Sequence, residues 1–172
     1  MPEGLAFDEF ASSRAQRLFQ TAYLMCGDYH QAQDLVQTAL SRLYPVWGRL
    51  TRREETVSLD AYARKVLLNC YISHRRLRRS GEVAVGDLPD RAPQGPGEDG
   101  NAALRVTLLE ALSRLPPRNR AAVVLRYLED YSLEEVADAM DTTVSAVKSL
   151  SFRSLTTLRQ ILGPERALLL QD

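Results

Sequence analysis

The chain has few of the residues that build disulfide scaffolds, metal centres and cofactor sites. Among its 172 residues are two cysteines, two histidines and one tryptophan. Cys26 and Cys70 are too few for a disulfide framework or a cysteine-based metal site, and we expect both to be small core residues. His30 and His74 lack the spacing of metal ligands, and no glycine-rich phosphate loop is present. We therefore expect no catalytic residues, no metal and no cofactor, and the sequence gives almost no support to a small hydrolase or metalloenzyme.

Long apolar runs are also missing. No stretch approaches the roughly 18–20 apolar residues that a membrane-spanning helix needs, so we expect no membrane insertion. The first residues do not show a basic stretch followed by an apolar one, as a signal peptide would. The sequence thus predicts a cytoplasmic protein.

Charge of one sign is not in excess overall, but it is segregated along the chain. The 22 basic and 22 acidic residues cancel, yet residues 1–80 carry a surplus of basic residues and residues 81–100 a surplus of acidic ones. The segment 81–100 is also rich in glycine and proline and shows no helical or strand period. Such a segment is uncommon inside one compact domain, so we interpret it as a flexible linker.

Both parts that flank this segment show the 3–4-residue apolar spacing of helices, and neither shows a sustained period of two. The predicted fold is therefore all-α, with two small helical domains. The first module covers residues 5–79, the linker 80–101, the second module 102–163 and a C-terminal tail 164–172. In the first module we expect helices that end at Gly27–Asp28 and near Pro45, then a polar, basic loop from Gly48 to Ser58.

The second module contains a helix-turn-helix pattern. Ser132 and Glu135 have the spacing of a capping box, which predicts the start of a helix that reaches about Met140. After a turn at Asp141, a longer helix begins with Thr143 as its cap. A short helix, a tight turn and a longer helix are typical of DNA-binding modules.

The longer helix has a polar face opposite its apolar positions, and this reading face consists of Lys148, Ser149, Phe152 and Arg153. Cations contact phosphates or guanine edges, serine bonds to several bases, and phenylalanine contacts a thymine methyl. Arg118 and Arg120 precede the helix-turn-helix and are expected to hold the phosphate backbone. The structural alternative is a solvated face with Phe152 packed on a neighbouring helix.

Several motifs of the second module resemble the promoter-binding region four of bacterial RNA polymerase sigma factors. They are Leu115-Pro-Pro-Arg-Asn-Arg120, Val124-Leu-Arg-Tyr127, Tyr131-Ser-Leu-Glu-Glu-Val-Ala137 and Val147-Lys-Ser149. The first module resembles region two of the same proteins in the motifs Thr21-Ala-Tyr-Leu24, Gly27-Asp28, Asp34-Leu-Val-Gln37, Leu43-Tyr44 and Tyr62-Ala-Arg-Lys-Val-Leu-Leu-Asn69. The likeness is to the compact extracytoplasmic-function (ECF) group.

The resemblance implies a protein that binds core RNA polymerase, directs it to promoters and helps to open the −10 region, without being an enzyme itself. It implies a core-binding helix with Asp34, Leu35 and Gln37, which docks on the polymerase β′ clamp, although Thr38 stands where relatives usually have Glu. It assigns the −10 element to the Gly48–Ser58 loop and the next helix, with Arg53, Lys65, Asn69, Ser73 and Arg76 as candidate contacts. It assigns the −35 element to Arg118, Arg120 and the reading face. The implied partners are core polymerase through its β′ clamp and β flap, promoter DNA and an anti-sigma factor or other regulatory protein.

A stand-alone helix-turn-helix repressor or activator is the alternative. In that case residues 1–80 would serve as a dimerisation or sensor domain, and the protein would bind duplex DNA as a stable dimer without polymerase. The likeness to region two argues against it.

Overall fold

The fold is built of helices joined by short turns. The computed structural model describes residues 6–52, 58–80 and 99–163, and within these ranges no strand occurs. The elements are α1 (Phe7–Cys26), α2 (Tyr29–Leu43), a 3₁₀ turn (Tyr44–Val46), α3 (Trp47–Arg52), α4 (Leu59–Ser80), α5 (Asp99–Ser113), α6 (Pro117–Val123), a π-helical turn (Val124–Leu128), α7 (Leu133–Ala139) and α8 (Val144–Leu162). The predicted all-α fold is confirmed. The tail and most of the predicted linker lie outside the described residues.

Local sequence signals account for the sharp break between α1 and α2. Gly27 adopts the left-handed conformation with a φ of 71°, and its N–H donates to the Tyr23 carbonyl oxygen. Asp28 then caps α2, since its side chain accepts a hydrogen bond from the backbone N–H of Gln31 at 2.9 Å. The chain therefore reverses direction at this break, and α1 and α2 pack against each other in the first module.

The predicted loop from Gly48 to Ser58 is wrong in its first part, because Trp47–Arg52 forms helix α3. The Trp47 ring is half-buried and lies 4.9 Å from the ring of Phe10 and 5.5 Å from that of Phe7, measured between centroids. This aromatic packing ties α3 to α1, so the polar sequence that follows Trp47 stays helical for one more turn. Arg53 lies outside the described residues.

The caps predicted for the helix-turn-helix are present. The Ser132 hydroxyl accepts from the Glu135 N–H at 3.1 Å, and the Glu135 carboxylate accepts from the Ser132 N–H at 2.8 Å. Thr143 caps α8 by accepting from the Ala146 N–H. Asp141 takes a left-handed φ of 53° in the turn between them, as its short polar side chain permits.

The two modules pack against each other. Helix α4 of the first module contacts α6 and α7 of the second, and α1 contacts α5, α6 and the π-helical turn. The buried apolar side chains of both modules belong to one hydrophobic cluster. Because each module alone is near the lower size limit for independent folding, this shared packing adds apolar burial that neither module has by itself.

Candidate nucleic-acid interface

The reading face of α8 is open to solvent. Lys148, Ser149, Phe152 and Arg153 are all exposed, and the Phe152 side chain is 71% exposed. Phe152 therefore does not pack on a neighbouring helix, and that part of the alternative is wrong. An aromatic ring held in water between two cations has a shape and charge suited to DNA bases and phosphates.

The opposite side of α8 anchors the helix to the second module. Val147, Ser151, Leu155 and Leu158 are buried, as the helical spacing predicts, and Leu150 is partly buried against the core. The orientation of the reading face is therefore fixed by core packing rather than by polar contacts.

Three of the residues predicted for −10 binding lie together on α4. Asn69, Ser73 and Arg76 are exposed and line one cleft, whose apolar floor includes Leu68 and Ile72. Lys65, predicted for the same face, is half-buried and does not line this cleft. The face thus offers an amide, a hydroxyl and a cation side by side.

The far wall of that cleft belongs to the second module. It is formed by Arg118 and by Met140, and the Arg118 Nη2 donates to the Met140 carbonyl oxygen at 3.4 Å. Arg118 remains exposed, as a phosphate contact requires. In this arrangement three candidate −10 residues, Asn69, Ser73 and Arg76, line the same cleft as one candidate −35 residue, Arg118.

The three residues of α2 that were predicted to bind core polymerase differ in their exposure. Asp34 and Gln37 are exposed on one face of the helix, three residues apart. Leu35 is only 5% exposed and belongs to the hydrophobic core. Leu35 is therefore corrected to a core residue, because its side chain points away from any surface that a partner can reach.

Arg120 lies in an unexpected place for a predicted phosphate contact. Its side chain is 1% exposed, and its Nε donates to the Leu24 carbonyl oxygen of α1 at 3.3 Å. Burial lowers the pKa of Arg120, the Tyr71 hydroxyl favours its charged form, and the nearby Arg75 opposes it. A Cβ atom at Gly27 would lie 3.2 Å from its Nη2, so a glycine there leaves room for the guanidinium. In this arrangement Arg120 cannot reach DNA.

A second contact between the modules involves Tyr131, just before α7. The guanidinium carbon of Arg64 lies 3.5 Å from the centroid of the Tyr131 ring, and that of Arg17 lies 5.9 Å from it. Both arginines belong to the first module. This stack could not be predicted, because spacing along the chain does not show which residues meet across a module boundary.

Two other features are absent from the described part of the chain. It contains no group of three or more histidine, cysteine or acidic residues placed to hold a metal ion. In the same ranges no helix has the length and apolar character needed to cross a membrane.

Comparison with known proteins matches both modules to one protein family. Residues 10–81 match the family model for Sigma-70 region 2, and residues 105–158 match that for Sigma-70, region 4. The chain is 36% identical over 160 residues to the RNA polymerase sigma-E factor of Streptomyces coelicolor, covering 93% of this chain and 88% of the relative. It is 29% identical over 165 residues to the ECF RNA polymerase sigma factor SigE of Mycolicibacterium smegmatis, covering 92% of this chain and 62% of the relative.

A solved structure shows the same fold. The sigma factor RpoE from Bartonella quintana, in complex with the anti-sigma factor NepR, superposes with a TM-score of 0.70 at 21% identity and covers 91% of this chain and 96% of its own. The two ordered region matches and the sequence relatives establish that the chain belongs to the ECF group of the sigma-70 family of RNA polymerase sigma factors.

Proposed function

We propose that this ECF sigma factor divides promoter recognition between its two modules, with α8 reading the −35 element and α4 holding the opened −10 strand. The observation that carries the proposal is the reading face, where an exposed Phe152 lies among Lys148, Ser149 and Arg153. Water solvates the cations well but the ring poorly, so a partner that offers both phosphates and methyl groups suits this face.

The −10 role rests on the row of Asn69, Ser73 and Arg76 on α4. These groups suit a single DNA strand, since a cation holds the phosphate while an amide and a hydroxyl bond to base edges. Such a face opens DNA by binding the unpaired form better than the paired one, which shifts an equilibrium and needs no catalytic group.

The core-polymerase contact is proposed for Asp34 and Gln37. Their exposure on one helix face leaves a carboxylate and an amide free for arginine side chains of a partner helix. By analogy with the family, we also propose that the second module contacts the polymerase β flap, that an anti-sigma factor controls the protein and that it acts in the cytoplasm. We assign no residue of this chain to these roles.

The test is multi-round transcription with purified core polymerase on a library of genomic fragments. We expect promoter-specific transcripts that depend on this protein. The double variant Asp34→Ala with Gln37→Ala should lose most of them, whereas the control Gln33→Ala, an exposed change on the same helix, should not. If the protein instead bound duplex DNA tightly as a dimer and gave no polymerase-dependent transcript, the repressor alternative would be favoured. The match of the first module to region two argues against that alternative.

A further inference from the structure

Helices α1, α4 and α6 meet around the buried guanidinium of Arg120. Its Nε donates to the Leu24 carbonyl oxygen of α1, but its Nη2 has no hydrogen-bond partner among the described residues. The nearby Tyr71 of α4 is fully buried, and within the same ranges its hydroxyl is also without a hydrogen-bond partner. Buried polar groups are rarely left without a hydrogen bond, so two of them beside each other indicate a ligand that contacts both.

The charge at this place is positive. Arg75 lies one turn after Tyr71 on α4, and its like charge opposes the charged form of Arg120. In the part of the chain that the structure describes, no carboxylate is among the groups that interact with Arg120. A cation removed from water is costly unless an opposite charge pairs with it. The fold therefore favours a bound negative charge here.

The two acidic groups nearest to Arg120 do not supply that charge. Burial raises the pKa of the Cys26 thiol to about 11, so the thiol is neutral at pH 7. Its Sγ donates to the Asp28 carbonyl oxygen at 3.3 Å, away from the guanidinium. Burial also raises the pKa of Tyr71, so its hydroxyl keeps its proton. The counter-charge has to come from solution.

Hydrogen-bond chemistry and space define the kind of ligand. The guanidinium groups of Arg120 and Arg75 only donate hydrogen bonds, and the Tyr71 hydroxyl can donate a third. An anion accepts from all three, whereas a water molecule would have to place two hydrogens of its own. A Cβ atom at Gly27 would lie 3.2 Å from the Arg120 Nη2, so the backbone of α1 closes in on this group. The limited space favours a single-atom anion over a phosphate or a carboxylate.

We propose that one chloride ion binds between the Arg120 Nη2 and the Tyr71 hydroxyl, with Arg75 as the second cation. The ion links α6 to α4, and Arg120 extends the link to the Leu24 carbonyl of α1. The site lies apart from the reading face and from the −10 row on α4, so the inference goes beyond the proposed function. Because the unfolded chain lacks the site, chloride should stabilise the folded protein by mass action.

The test is urea unfolding of the full chain in mixtures of sodium chloride and sodium fluoride at a constant total concentration. Urea adds no chloride, and the constant ionic strength keeps charge screening unchanged. As chloride replaces fluoride, the unfolding equilibrium constant should fall by up to about tenfold for each decade of chloride concentration. Bromide should act like chloride. Fluoride holds its hydration shell more strongly, and strongly hydrated anions generally stabilise proteins, so the expected order runs against the general effect of salts.

Two variants remove the site from its two sides. Tyr71→Phe deletes only the hydroxyl, and Arg120→Met replaces the charge by an apolar chain. Both should lose most of the dependence on chloride, and Tyr71→Phe decides the matter if Arg120→Met does not fold. The control Arg159→Met removes an exposed arginine from the last turn of α8 and should keep the full dependence. In crystals soaked in bromide, we expect an anomalous-scattering peak between the Arg120 Nη2 and the Tyr71 hydroxyl.

Three results would overturn the proposal. The first is an unfolding equilibrium constant of the wild type that is the same in chloride and in fluoride. The second is full chloride dependence in Tyr71→Phe. The third is an equal loss of that dependence in Arg159→Met, because chloride would then act on the surface charge in general and not at Arg120.

Discussion

Phe152 offers the sharpest test of promoter reading, because its ring is exposed in the protein and so is available to DNA. At 71% exposure, less than a third of the side chain is buried. Full burial of a phenylalanine contributes about 1.5–3 kcal/mol, so Phe152→Ala should lower the free energy of unfolding by only about 0.4–0.9 kcal/mol. The domain should stay folded, and any larger effect on transcription would have to arise at the DNA.

The expected effect on base reading is larger. If the ring contacts a thymine methyl of the −35 element, its removal should lower discrimination at that base by about 1–3 kcal/mol, or between about 5-fold and about 150-fold. The assay is transcription by reconstituted holoenzyme on templates that differ in one −35 position, each thymine being replaced in turn by uracil, which lacks only the methyl group. At the position that Phe152 reads, the effects of Phe152→Ala and of the uracil replacement on transcription should not be additive.

Lys148→Ala is the matched control on the same face. It should reduce the salt slope of DNA binding by about one unit and weaken related and unrelated sequences alike. The reasoning is refuted if folded Phe152→Ala keeps the full sensitivity to uracil at every −35 position. The specificity would then have to come from other residues of α8.

Three further changes test other parts of the molecule. Asp34→Ala with Gln37→Ala should weaken co-purification with core polymerase while changing the unfolding free energy by no more than about 0.5 kcal/mol, since both side chains are exposed, and unaltered co-purification would contradict the clamp assignment. Ser132→Ala should cost about 1 kcal/mol in denaturant unfolding, because it removes the cap of α7, and a cost near zero would show that the cap adds nothing. Glu135 accepts from the Ser132 N–H, which lowers the pKa of its carboxyl below 4.5. The stabilisation that the ionised Glu135 contributes to the fold should therefore be fully present above about pH 4.5 and be lost as the pH falls through the lowered pKa. When the free energy of unfolding is measured against pH in acid, Glu135→Gln should lose less stability than wild type.

The helices and their ends were predictable because their signals are local. The Ser132 and Thr143 caps and the left-handed Asp141 follow from residues within one turn of each other, and all are present. The core position of Leu35 follows from the apolar stripe of α2, whereas likeness to a family motif does not show which residues of the motif face a partner. Helix α3 was missed because its stability comes from Trp47 packing on α1 rather than from its own polar sequence.

The position of Arg120 could not be predicted, because it depends on contacts between residues far apart in the chain. Its hydrogen-bond partner Leu24 is 96 residues away, beyond the segment 81–98 that the structure does not describe. Charge and spacing near α6 indicate a phosphate contact, but they do not show that the fold buries the Arg120 side chain against α1.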